Sequence, residues 1–308
     1  MTGESEAVSG AEPPVVVKVG GAKAVDPAGA VGDVAHLAAN GRAVVVVHGG
    51  STVVDETLER LGIEPEYVES ASGVTGRFTD AETMEAFAMA MAGKLNTELT
   101  AQFRSAGVDA VGLSGVDGGL LSGPRKSAVR VVEDGKKKIR RGDHSGKIES
   151  VNADLLAGLL DDGYTPVVSP PMAGDEGDGE VTPVNADADR AAAAVAGALG
   201  ADLVLLTDVS GVYADPDDPE TRIDAAATPD ELAAVEDAAE GFMGKKVMAA
   251  TEALEGGSGR VVIADANVRD PVVAALGGEG TTIERSALAD DDAGDETGDA
   301  DETEGIDA

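Results

Sequence analysis

Short runs of apolar, mostly β-branched residues recur along this chain, and stretches with helical spacing lie between them. The runs are Val15–Val19, Ala43–Val47, Ala110–Leu113, Thr165–Ser169, Asp202–Thr207 and Arg260–Ala264. They are continuous rather than alternating, the pattern of strands covered on both faces. Helical spacing fills 26–40, 51–62, 80–92, 94–106, 150–162, 187–199, 229–239, 242–256 and 270–276. This order predicts an α/β fold with a central, mostly parallel sheet between helices. Aromatic residues are only 2% of the chain, so the layers must pack closely on Ala and Val.

Two stretches break the pattern. Residues 120–149 hold two alternating segments around Glu133-Asp134-Gly135, and Asp-Gly between β-like runs predicts a protruding β-hairpin. Pro170–Glu180 (PPMAGDEGDGE) reads as a flexible loop. Residues 1–13 and 287–308 read as disordered acidic tails, with ten acids and no base among the last twenty residues.

The formal net charge is −35, with acids spread along the whole chain and only ten lysines. A dense carboxylate coat suits a protein that stays soluble in high salt. It argues against general nucleic-acid binding. With no cysteine, disulfides, thiolate metal sites and a Cys nucleophile are excluded, and three histidines argue against a His-rich metal site. No apolar run is long enough to span a bilayer, and the start of the chain has neither a basic end nor an apolar stretch. A cytoplasmic protein is expected.

Three strand ends run into glycine. Val15–Val19 leads into Gly20-Gly21, Ala43–Val47 into His48-Gly49-Gly50-Ser51, and Ala110–Leu113 into Ser114-Gly115. Ligands of parallel sheets sit at carboxyl strand ends, where glycine lets amides approach an anion and a helix N-terminus adds positive potential. Glycine also ends strands for steric reasons alone, but two Gly-Gly turns at the first two strand ends point to a phosphate-rich ligand. There is no GxxxxGK[ST], and no GxGxxG follows the first strand, so the cradle is neither a P-loop nor a dinucleotide fingerprint.

Lys18 interrupts an apolar strand, where a lysine costs desolvation unless it meets an anion or points to solvent from an edge strand. Lys245-Lys246 lies near a helix start, an unfavourable place for cations that a nearby anion would explain. The acids of Asn185-Ala186-Asp187-Ala188-Asp189 suit N-capping of an Ala-rich helix. Alternatively, Asn185 binds substrate and Asp189 aligns the two lysines. Arg125–Lys147 holds nine bases against three acids. In so acidic a chain this points to an acidic partner, or to an edge ribbon protected by lysines.

Together these residues resemble the amino-acid kinase family, its acetylglutamate kinase branch in particular, from about Val15 to Arg285. The resemblance lies in KVGG around Lys18, VHGG at 47–50, the block 184–213 and MGKKVMAATEAL at 243–254. LSGVDGG at 113–119, RRGDHSG at 140–146, GGEGTTI at 277–283 and HGGS resemble the branch whose substrates are carried by the small acidic protein LysW. The resemblance implies an αβα sandwich of two lobes, an amino-acid-substrate lobe at 14–200 and an ATP-binding lobe at 201–286. It implies ATP-dependent phosphorylation of the side-chain carboxylate of carrier-linked glutamate or 2-aminoadipate, with Mg²⁺. Lys18, Lys246 and Asp189 would be catalytic. Gly49, Gly50, Arg77 and Asn185 would bind the substrate, Arg77 through a carboxylate. Gly20, Gly21, Thr207, Asp208, Gly211 and Val212 would bind the nucleotide. LysW would dock at the basic hairpin, a reductase would consume the acyl phosphate, and a homodimer is expected.

A carboxylate nucleophile is ionised at neutral pH, so no general base is required and positioning carries the reaction. Rival readings are a kinase of free N-acetylglutamate and a nucleotide-binding sensor without turnover. Aspartokinase would need regulatory domains after residue 286.

Overall fold

The computed structural model describes residues 12–20, 27–69, 75–133, 136–177 and 179–288. Among these, twelve strands form one sheet. From one edge it runs Ala225–Ala226, Thr281–Glu284, Arg260–Asp265, Asp202–Thr207, Val15–Val19, Val44–His48, Thr165–Asp175, Leu121–Glu133 and Lys136–Gly146. Ala110–Gly115 and Val181–Val184 also pair with Thr165–Asp175, and Ser150–Val151 with Leu121–Glu133. The six expected strands are present, and the centre is parallel: Val15 pairs with Asp202 on one side and Val44 on the other. Antiparallel pairing is confined to the flanks. Helices cover both faces. The expected boundary at 200/201 falls inside this continuous sheet, between helix Ala188–Leu199 and strand Asp202–Thr207.

Side chains of a strand alternate between faces. Val15, Val17 and Val19 enter the core below helices Pro27–Ala39, Asn96–Ser105 and Pro271–Leu276. Val16 joins the opposite core, with Ala191–Ala193 and Ala249–Ala250. Lys18 therefore points to the face that carries helices Ala188–Leu199 and Gly241–Glu255. Those two helices approach closely because their contact is small: a side chain at Gly197 would meet the backbone of Gly256 at 3.0 Å. The Ala-rich composition thus brings the N-terminal halves of both helices over the end of the first strand.

Three expectations need correction. Thr165–Asp175 is one strand, buried through Gly174, so the loop expected at Pro170–Glu180 begins too early. Prolines lack a ladder donor, and Pro170 and Pro171 fall where pairing to Ala110–Gly115 shifts register, between Ser169 and Met172. Past that point Ala173–Asp175 pairs with Ser122–Pro124 and with Val181–Pro183. Second, the helices expected at 80–92 and 94–106 are continuous: Ala81–Ala88 and Asn96–Ser105 are joined by a π-helical turn, Met89–Leu95. Third, the chain stays packed beyond 286, with Ala287 buried and Leu288 against the core.

The hairpin is present as Leu121–Glu133 paired with Lys136–Gly146; its Asp134-Gly135 turn lies outside the described residues. The tails expected at 1–13 and 287–308 lie outside them too, apart from 12–13 and 287–288. Among the described residues no helix is long and apolar enough to cross a membrane.

Candidate active site

The carboxyl ends of the central strands form the site. Lys18 is only 6% exposed, on a strand buried on both faces, which excludes the edge-strand reading. Its Nζ lies 2.6 Å from Asp189 Oδ1. Lys246 Nζ donates to the other oxygen, Oδ2, at 3.0 Å. One carboxylate thus holds two ammonium groups, one from the first strand and one from helix Gly241–Glu255. Burial pulls the Lys18 pKa below its ordinary value, and Asp189 opposes that shift. Burial alone would raise Asp189, but the two ammonium groups outweigh it and hold its carboxyl below the usual range. The site therefore gathers two amino groups around one ionised carboxylate.

The two acids of the NADAD segment divide the roles proposed for them. Asp187 is the N-cap, accepting from the amides of Asp189 at 2.9 Å and Arg190 at 3.1 Å. Asp189, one turn in, is left for the lysines, and the helix N-terminus favours its charge. The neighbouring lysines separate as well. Lys246 reaches the carboxylate, while Lys245 turns away, donates to Thr75 O at 2.9 Å and lies 5.6 Å from the centre of the exposed Phe242 ring.

Beside the lysines, Gly50 is the N-cap of helix Ser51–Leu61. The amides at a helix start have no carbonyl one turn back to bond, so those from Gly50 onward can meet an anion. Gly49 differs: its N–H donates to Val19 O at 3.0 Å. Gly20 lies at the end of the first strand, and Gly21 is outside the described residues.

Arg77 reaches the start of helix Ser51–Leu61, and Asn185 lies two residues before the N-cap Asp187. Arg77 pairs with Asp55, donates to Ser51 O at 3.2 Å and Tyr67 Oη at 3.0 Å, and Tyr67 in turn donates to Asp55. Asn185 Nδ2 donates to Thr79 Oγ1 at 3.0 Å. The returning hairpin strand is woven into this corner: His144 N donates to Thr79 O at 2.6 Å, and Asn185 N to His144 O at 2.8 Å. Buried Asp143 accepts from Thr79 N at 3.3 Å and from the Ser145 hydroxyl. Sequence reasoning missed Asp55, Thr79 and Asp143; only RRGDHSG, noted as a motif without a role, pointed at the last.

A cavity of about 260 Å³ opens between the hairpin, strands Tyr67–Glu69 and Thr75–Arg77, and Lys245. Arg77, Lys126, Arg130 and Lys245 line it, with Asp143 as the acid. Two more of the hairpin's arginines are less available. Arg125 binds Asp143 O and pairs with Glu176, and Arg140 pairs with Glu66 over the Phe78 ring.

Thr207 ends the strand next to the first, Asp208 follows it, and Thr207 Oγ1 donates to Asp208 at 3.1 Å. Gly211 and Val212 follow in a turn fixed by Thr281, whose Oγ1 accepts from Val212 N at 2.8 Å. Among the described residues no three acids or histidines gather into a metal site.

The amino acid kinase family model matches residues 13–265. A [LysW]-aminoadipate kinase from Deinococcus radiodurans is 44% identical over 270 residues, covering 87% of this chain and 91% of that protein. An acetylglutamate kinase from Methanopyrus kandleri is 45% identical over 222 residues, covering 71% and 84%. Among solved structures, N-acetylglutamate synthase from Neisseria gonorrhoeae superposes with a TM-score of 0.69 at 23% identity, over 90% of this chain and 60% of that one.

Proposed function

The chain belongs to the amino acid kinase family, and from that premise we propose that it phosphorylates the side-chain carboxylate of a carrier-linked acidic amino acid. The acceptor is 2-aminoadipate or glutamate whose amino group is joined to a small acidic carrier of the LysW kind, the phosphoryl donor is ATP, and the product serves lysine or arginine synthesis. The observation that carries this reading is the pair of ammonium groups, from two separate elements, held by one buried carboxylate at the carboxyl ends of the strands.

The reaction needs no base. A carboxylate oxygen attacks the γ-phosphorus, the bond from that phosphorus to the β,γ-bridging oxygen breaks, and ADP leaves with the electron pair. Lys18 and Lys246 offset the charge on the transferring group, and Asp189 keeps them from repelling each other apart. Gly50 and the amides after it contribute neutral donors. Asn185, held by Thr79, and Arg77, held by Asp55, orient the acceptor. Thr207, Asp208, Gly211 and Val212 form the strand-end turn assigned to the nucleotide. Mg²⁺ would accompany ATP as part of the nucleotide substrate, where it would supply charge neutralisation.

The cavity supports the carrier as partner, because Lys126, Arg130 and Lys245 line it beside Arg77 in a chain of net charge −35. The acidic coat suits a cytoplasmic protein of a salt-adapted cell. A reductase is the fitting consumer of a reactive acyl phosphate, and a homodimer is the assembly proposed. ATP-dependent trapping with hydroxylamine tests the reading, using carrier-linked aminoadipate, carrier-linked glutamate and N-acetylglutamate in parallel. Hydroxamate from a carrier-linked acceptor is the expected result. Hydroxamate from N-acetylglutamate alone would replace the acceptor, and none from any of them would leave a sensor.

A further inference from the structure

Behind the phosphoryl-binding face lies a buried polar chain that the reaction above does not use. It starts at the π-helical turn Met89–Leu95, a wider turn that is uncommon and often found at functional sites. The turn presses Met91 and Leu95 onto Gly50, where a Cβ would overlap both side chains. The next residue, Asn96, is buried against three strands. Its Nδ2 lies 2.8 Å from Val167 O and 3.2 Å from His48 Nε2, with Leu113 O at 3.4 Å.

These contacts fix the protons. A backbone carbonyl only accepts, so the Asn96 nitrogen, not its oxygen, faces Val167. His48 Nε2 must then accept from the same nitrogen. Its Nδ1 keeps the ring proton and donates to Gly49 O at 3.2 Å. Burial also holds the ring neutral, pushing its pKa down to about 4. Gly49 is thus held at both ends, its N–H by Val19 O and its carbonyl by His48. In a trans peptide the carbonyl and the following N–H point in opposite directions. His48 pulls the carbonyl toward the face of helix Asn96–Ser105, so the Gly50 N–H is turned toward the face of Lys18 and Asp189.

We propose that His48 and Asn96, carried by the π-helical turn, are positioning residues that aim the Gly50 amide at the transferring phosphoryl group. The inference rests on the phosphotransferase reading.

The test compares His48→Leu, His48→Asn and Asn96→Ser in the hydroxamate assay, with melting curves for each. Leu removes both ring nitrogens, whereas Asn keeps a donor near the position of Nδ1. His48→Leu is expected to lower kcat/KM for ATP by about 10²-fold, the cost of a lost oxyanion donor, with KM for the carboxylate acceptor unchanged. His48→Asn should recover to within about five-fold of wild type, and Asn96→Ser should fall between the two. If His48→Leu does not fold, the other two variants decide. The proposal is overturned if His48→Leu stays within two-fold of wild type, if folded His48→Asn loses about 10²-fold, or if only the acceptor KM moves. A wild type that yields no hydroxamate with any acceptor overturns the proposed function instead. An active wild type beside an unimpaired His48→Leu overturns this inference alone.

Discussion

Two regions of this molecule collect positive charge, and they do so in opposite ways. At the strand ends two ammonium groups share one carboxylate, and all three side chains are mostly buried. On the hairpin nine bases are spread over a ribbon with many side chains in solvent, and two of its arginines are engaged by Glu176 and Glu66. The first arrangement fixes geometry with few charges, as stabilising a short-lived charge requires. The second supplies number and reach, which suits recognition of an acidic surface. Charge count alone would have pointed to the hairpin as the important region; burial and convergence point to the strand ends for chemistry.

The largest effect that can break this contrast is at Lys18. Lys18→Met should lower kcat by about 10³-fold, the scale of a phosphoryl-stabilising cation. Its melting temperature should move by less than about 4 °C, because a buried lysine is a poor source of stability. Steady-state kinetics with a thermal melt check both halves. Next come the adjacent lysines. Lys246→Ala should cost about 10²-fold in kcat and Lys245→Ala no more than about three-fold, because only Lys246 reaches Asp189. Equal losses would dissolve the distinction between them.

Buried groups should answer to pH and exposed ones to salt. His48 has a folded pKa of about 4 against an ordinary value of 6.5. The unfolded chain binds the proton first, so His48 contributes stability above pH 6.5 that is lost as pH falls toward 4. That loss amounts to about 3 kcal/mol. Denaturant melts between pH 7 and pH 4 should show it, and His48→Asn should flatten the curve. The smallest effect belongs to the hairpin. Lys126→Ala with Arg130→Ala should raise KM for a carrier-linked acceptor about ten-fold at low salt and only about two-fold at 1 M, where the Debye length is about 3 Å. Turnover of free N-acetylglutamate should not change. Equal losses on both acceptors, or no salt dependence, would count against docking at this cavity.

Much of this was legible in the chain because the strands are continuous apolar runs, and a lysine inside such a run has few explanations. Lys18 is legible that way; Asp189 is legible only as one of two readings of the acids that open an Ala-rich helix, and the choice of Lys246 over Lys245 rests on family resemblance in the sequence and on the Asp189 contact in the structure. The strand through Pro170 and Pro171 was hidden because proline normally ends a ladder, and only the register shift at Ser114/Gly115 makes room for it. Short pairs such as Tyr67–Glu69 with Thr75–Arg77 carry too few residues for a periodic signal. The supports of the site, Asp55 for Arg77 and Thr79 for Asn185, join residues 22 and 106 positions apart, and no local pattern announces such contacts. The helical spacing breaks at Gly93, inside the π-helical turn, whose wider period disturbs the 3.6-residue repeat.

The central claim is that Lys18 and Lys246 act as one unit on a single phosphoryl group, and a double-mutant cycle in single-turnover acyl-phosphate formation tests it most directly. Groups that act together are strongly non-additive. Lys18→Met with Lys246→Ala should therefore be no more than about ten-fold slower than Lys18→Met alone. A double variant whose loss equals the product of the two single losses would contradict the account.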